Sequence, residues 1–249
     1  MCVDGVIVAS DSQVEFARGA PVKRVNANKV HRLLENRSIA IAGAGTLTFI
    51  TKSIAEIRRS IKERERRENR TISLEEIIDI AESAVAAIYK TYNIERLRYL
   101  YGKPEEKGEE YYHHFTLVLG GVEDDEKRLC IIHEDGIAEI EETYATVGSG
   151  AAYAEYLLSK LYDKEIDVNT GKKLAIYVIK EVERMDPNVG GPVNVVILSR
   201  GKYEELTREE VERISINLLN LDDVVSKIYR EIIMGRISSE DLEKFLARG

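Results

Sequence analysis

Met1-Cys2-Val3-Asp4-Gly5-Val6-Ile7-Val8-Ala9-Ser10-Asp11 opens the chain, and its reading decides the fold. The β-branched run Val6, Ile7, Val8 follows an Asp-Gly pair and ends on an acid, the pattern of the returning half of a β-hairpin. The outgoing half is expected upstream of Met1. Further strands are expected at Lys29 to Leu34 and at Ser38 to Ala42, the latter running into Gly43-Ala44-Gly45.

Strands therefore precede helices. From Leu47 to about Arg70 the apolar residues Ile50, Ile54, Ile57 and Ile61 recur at three- and four-residue spacing, one stripe of a helix. The basic residues from Arg58 to Arg70 alternate with Glu63, Glu65 and Glu68, which predicts an ion-paired helix surface rather than a nucleic-acid patch. Ser73-Leu74-Glu75-Glu76 fits a capping box and opens a second helix, whose buried face carries Leu74, Ile77, Ile78, Ala81, Val85, Ile88 and Tyr92. A polar loop from Tyr101 to Tyr112 leads into strands at Phe115 to Gly121 and Arg128 to His133. Gly148-Ser149-Gly150 introduces a helix through Leu161, and Val168 to Arg184 is another, with Leu174, Tyr177, Val178 and Val182 facing inward. After Gly190-Gly191-Pro192 comes a late strand, Val193 to Leu198; Thr207-Arg208-Glu209-Glu210 is a second capping box, and short amphipathic helices are expected to Gly249. Two stacked sheets with helices on both outer faces would satisfy this order.

Composition narrows the function classes. With 249 residues, 44% of them hydrophobic, the chain can bury a substantial core. Its 44 acidic against 36 basic residues, a formal charge of −8, argue against a duplex nucleic-acid binder. No apolar run is long enough to suggest a membrane span, so cytoplasmic residence is the expectation. Cys2 and Cys130 form no disulfide framework. His31 stands alone, and His113, His114 and His133 lack zinc-type spacing, so neither a metal nor a cofactor is expected.

Several stretches share an order. Gly5-Val6-Ile7-Val8-Ala9-Ser10-Asp11, Asn28-Lys29-Val30-His31-Arg32-Leu33, Ala40-Ile41-Ala42-Gly43-Ala44-Gly45, Leu119-Gly120-Gly121-Val122, Tyr144-Ala145-Thr146-Val147-Gly148-Ser149-Gly150 and Arg184-Met185-Asp186 with Gly190-Gly191 together resemble proteasome β-type subunits of the amino-terminal nucleophile hydrolase superfamily. The resemblance implies an α+β fold, a four-layer αββα sandwich, over residues 1–215, with 216–249 a C-terminal helical extension of the same domain. The loop near Pro104 is expected to be an addition.

In that superfamily a threonine hydroxyl at the first position of the chain uses its own free amine as proton acceptor, which compensates for its weak nucleophilicity. By resemblance, Lys29 would stand beside that hydroxyl with its charge balanced by Asp11, and Gly43 would present its amide to the oxyanion. Ser149 and Asp186 would form a polar shell near the terminal amine. Where the family usually has a serine three residues after the late aspartate, this chain has Val189. Ile41, Gly45 and Phe49 fall where the family lines its main specificity pocket, so an apolar residue is expected before the cleaved bond.

The sequence contains no such threonine at its head, and three readings remain open. The first is a peptidase whose threonine-led strand precedes Met1; the second is a structural ring subunit that never had a nucleophile. The third uses Cys2 as an amino-terminal thiol after removal of Met1, although it would lie on the order of 20 Å from the expected site. The resemblance also implies partners: copies of itself or α-type subunits in stacked rings, and unfolded polypeptides as substrates. The stripe Leu221, Val224, Val225, Ile228 and Ile232 would pack either on a neighbour or on its own domain.

Overall fold

The structure is a computed structural model and describes residues 1–14, 25–102, 112–238, 240 and 242–243. Most of the loop around Pro104 lies outside the described residues.

A five-stranded antiparallel sheet has the order β4-β5-β6-β7-β8, formed by Val30–Arg32, Ser38–Gly45, Phe115–Glu123, Glu126–Ile132 and Ala138–Ile140. A second sheet stacks β1 (Val6–Ser10) beside β9 (Asn194–Ser199) and β10 (Lys202–Glu205). A two-residue ribbon pairs β2 (Gln13–Val14) with β3 (Val25–Asn26). Side-chain alternation in the strands explains the layering. Ala40, Ala42 and Val118 point to the inter-sheet core with Val6, Val8, Val196 and Leu198, while Ile39, Ile41, Leu117 and Leu119 point the other way. The glycines of the Leu-Gly-Gly strand keep the layers close. A methyl group on Gly120 would lie 2.8 Å from Val8 Cγ2, and one on Gly121 2.7 Å from Leu74 Cδ1.

Helices α1 (Leu47–Glu68) and α2 (Leu74–Tyr89) cover the outer face of the five-stranded sheet. The stripe Ile50, Ile54, Ile57 and Ile61 is buried as expected, each side chain contributing about 1.5–3 kcal/mol by leaving water. A π-helical turn, Lys90–Glu95, continues α2 into the short α3 (Arg96–Tyr101). There the buried Asn93 amide clamps the backbone of His113, accepting from its N–H and donating to its carbonyl, both at 3.0 Å. The charge-dense surface of α1 is ion-paired: Arg59 with Glu56 and Glu63, Arg64 with Glu68 and Glu76, Arg70 with Glu68 and Glu76.

On the other side, α4 (Ala151–Leu161), α5 (Val168–Met185) and α6 (Arg208–Ile233) complete the fourth layer. Ile7, Ala9, Val193 and Val195 meet Ile176 of α5 and Val211 of α6. Two expectations need correction. Leu174 and Tyr177 are only half-buried and Ile176 takes the core position, a one-position error in reading the stripe. As far as Ile233 the expected short C-terminal helices are one helix of 26 residues, which runs through positions 215 and 216 without a break. β8 and β10 escaped notice because they are short, three and four residues, with little apolar alternation.

Candidate active site

β1 lies at the edge of its sheet. Its two ends do different work. One side of it pairs with β9, from Val6 opposite Leu198 to Ser10 opposite Asn194. Along its other side no strand lies among the described residues.

At the near end, Cys2 N–H donates to Gly5 O at 2.8 Å and closes a tight turn over Val3 and Asp4. This turn is held firmly. Lys127 Nζ donates to the carbonyls of Cys2 and Val3 at 2.8 and 2.7 Å, Val3 N–H to Ile166 O at 2.9 Å, and Val168 N–H to Asp4 Oδ1 at 2.8 Å. The Cys2 side chain is 4% exposed and packs so closely on α5 that a methyl group on Gly171 would lie 2.5 Å from its Sγ. Burial pushes this thiol's pKa up, away from the reactive thiolate, and burial lowers that of the Met1 amine. The structure sets the cysteine reading aside: the group is buried, poorly ionised, and separated from Asp11 by the whole of β1.

At the far end, Asp11 and Lys29 meet. Lys29 Nζ donates to Asp11 Oδ1 at 2.7 Å, with side-chain exposures of 21% and 14%. The other oxygen, Oδ2, accepts from the N–H of Gln13 at 2.9 Å and from that of Gly190, 179 residues along the chain, at 3.2 Å. A carboxylate with both oxygens occupied is fixed in orientation, and it fixes its lysine in turn.

The backbone links several of the other expected residues to this pair. Val30 pairs with Ala42, a register that carries Lys29 to the level of Gly43. Asp186, the buried C-cap of α5, accepts from Asn188 N–H at 2.8 Å and from Val189 N–H through its carbonyl at 3.1 Å, so its loop leads directly to Gly190. A methyl group on Gly150 would stand 3.8 Å from Asp186 Oδ2, and one on Gly148 3.2 Å from Ala44 Cβ. The turn carrying the exposed Ser149 thus spans from Asp186 to the residue after Gly43. Of the three pocket residues, Gly45 is exposed, with φ at +98°. Ile41 is wholly buried under α1 and α2, and Phe49, 6% exposed, packs on Tyr92, His113 and Phe115. Those two offer a substrate almost no surface in this conformation. Sequence reading missed Gln13, whose Nε2 donates to Pro187 O at 2.8 Å; the signal was its position two residues after Asp11, the spacing of an Asx turn. Pro187 belongs to the loop after Asp186, so this side chain also bears on the site.

Two stacked antiparallel sheets between helical layers, with an acid–lysine pair at the end of an inner strand, define a sandwich of the amino-terminal nucleophile hydrolase type. The profile of the family described as "Proteasome subunit" matches residues 1–198, and the chain belongs to that family. It is similar to proteasome subunit beta 1 of Thermococcus sibiricus, 25% identical over 215 residues that cover 86% of this chain and 91% of the relative. It is also similar to proteasome subunit beta 2 of Pyrococcus furiosus, 26% identical over 86% of this chain and 91% of the relative. Proteasome subunit beta of Methanopyrus kandleri is 26% identical over 84% of this chain and 90% of its own length. Among the described residues no helix is long and apolar enough to cross a membrane.

Proposed function

We propose that this proteasome-family chain is a β-type subunit of a threonine endopeptidase, acting in the cytoplasm on unfolded polypeptides inside a chamber of stacked rings. The observation that carries the reading is the Asp11–Lys29 pair at 2.7 Å, anchored by the Gly190 amide and level with Gly43. Lys29 would stabilise the alkoxide of an attacking threonine, Asp11 would keep the ammonium aimed, and the Gly43 amide would receive the oxyanion. Ser149 and Asp186 would hold the terminal amine that takes the proton. Gly45 would form the open part of the specificity pocket. The rings would contain copies of this chain, α-type subunits, or both, as the relatives' β-subunit names suggest.

The reading requires a threonine at the head of a strand lying along the free side of β1. Mass spectrometry of the amino terminus of the protein purified from its natural source, with turnover of fluorogenic peptides by the same particle, tests it. A threonine terminus and turnover that stops on modification of that residue are expected. A particle without such a terminus and without turnover would make this a structural ring subunit instead.

A further inference from the structure

Gln13 connects three parts of the site. Its backbone N–H holds Asp11 Oδ2 at 2.9 Å, its strand pairs it with Asn26 on the way to Lys29, and its side-chain amide donates to Pro187 O at 2.8 Å. The side chain is buried, with the residue 5% exposed, and its Oε1 has no partner among the described residues. Gly190 lies against it closely: a methyl group there would sit 2.8 Å from Gln13 Oε1. Ser12 N–H also donates to Gly190 O at 3.1 Å, so the end of β1 and the 187–190 loop are fastened by both backbone and side chain.

The two oxygens of Asp11 have separate tasks. Oδ1 carries Lys29, and Oδ2 takes the Gly190 amide. A shift of the 187–190 loop would remove the Gly190 donor, leave Oδ2 with the Gln13 N–H alone, loosen the carboxylate and let the ammonium drift. Asp11 and Pro187 are far apart in sequence, and tertiary contacts join their segments: the Ser10–Asn194 pairing of β1 with β9, the Ser12–Gly190 bond and the Gln13–Pro187 bond. A buried carboxamide bonded to the loop backbone supplies such a contact where a hydrophobic side chain could not.

We propose that Gln13 is a positioning residue: its carboxamide holds the loop carrying Asp186 and Gly190 against Asp11 and thereby sets the orientation of the Asp11–Lys29 pair. Its consequence for turnover rests on the peptidase reading above, while its structural part does not.

The test compares Gln13→Leu and Gln13→Glu with Ser12→Ala, a buried neighbour, as control. In the full chain, NMR would follow hydrogen exchange of the Gly190 amide and the side-chain resonances of Lys29, with Tm as the measure of general damage. Both Gln13 variants should speed Gly190 exchange about tenfold, the order expected for one lost hydrogen bond, and should move the Lys29 resonances. Ser12→Ala should leave both in place. In the assembled particle the same variants should lower kcat with little change in KM. Unaltered Gly190 exchange and Lys29 signals in either folded Gln13 variant would overturn the proposal, whatever happens to Tm. If the wild-type particle turns over no peptide, the peptidase reading falls and the exchange result still decides the part played by Gln13.

Discussion

Two acid–base pairs in this molecule have nearly the same length and quite different origins. Lys29 meets Asp11 at 2.7 Å; Arg70 meets Glu76 at 2.6 Å. The second pair is local. Glu76 closes the capping box on Ser73, its side chain accepting from Ser73 N–H at 2.9 Å, while Arg70 and Arg64 approach from the preceding turn and from α1. The first pair depends on strand register, on Gln13 and on an amide 179 residues away. A short ion pair is therefore not by itself a sign of function. What distinguishes the Asp11 pair is that distant segments converge on both oxygens of one carboxylate, just past the end of the edge strand β1.

The sharpest way to break this comparison is Lys29→Met. If the site is catalytic, peptide turnover by the assembled particle should fall on the order of 10²–10³-fold, while the fold survives because Asp11 keeps two backbone donors. A variant with full turnover would reduce the pair to a structural contact.

At the local pair, Ser73→Ala removes the hydroxyl that accepts from Glu76 N–H at 3.2 Å and should cost about 1 kcal/mol in urea unfolding, with no effect on turnover. A loss of activity there would blur the distinction between the two pairs.

The smallest effect is expected from Glu76→Gln, read as a pH dependence. The hydrogen bond from Arg70, then that from Ser73 N–H, hold the Glu76 carboxyl down at about 2, against an ordinary value of 4.5. A depressed folded-state value means that the contribution is complete above pH 4.5 and is lost as pH falls toward 2. Urea midpoints should therefore drop less steeply across that window in the variant than in the wild type, and added salt should narrow the gap because the network is exposed. Equal slopes would show that the capping box alone matters.

Legibility follows the same division. Both capping boxes and the isoleucine stripe of α1 are carried by residues three or four apart, and each stands in the structure as its spacing predicts. The resemblance names Asp11 and Lys29 and implies their pairing, and the structure brings them together at 2.7 Å; local spacing alone could not show it, since they stand 18 positions apart. Gln13 went unnoticed because its side-chain partner, Pro187, is 174 residues away. Ile41 shows the reverse case. Its place in the motif suggested a pocket wall, but alternation along β5 turns it into the helix-side core. At the carboxyl end, repeated apolar residues fixed the helical period of α6 but not its length, because no breaker separates the expected short helices; among the described side chains its buried ones, Val211 and Ser215, lie in the first turns.

By itself the sequence determined the kinds and order of the elements, their caps and stripes, and the set of chemically suited residues, because hydrogen bonding and periodic burial act over a few positions. Only the tertiary structure decided that Cys2 is sealed against Gly171, that Ile41 faces inward, and that Asp11 gives one oxygen to Lys29 and the other to Gly190. Those outcomes depend on how two sheets and the helices on their outer faces settle against one another, and contact across that distance has no trace in local spacing.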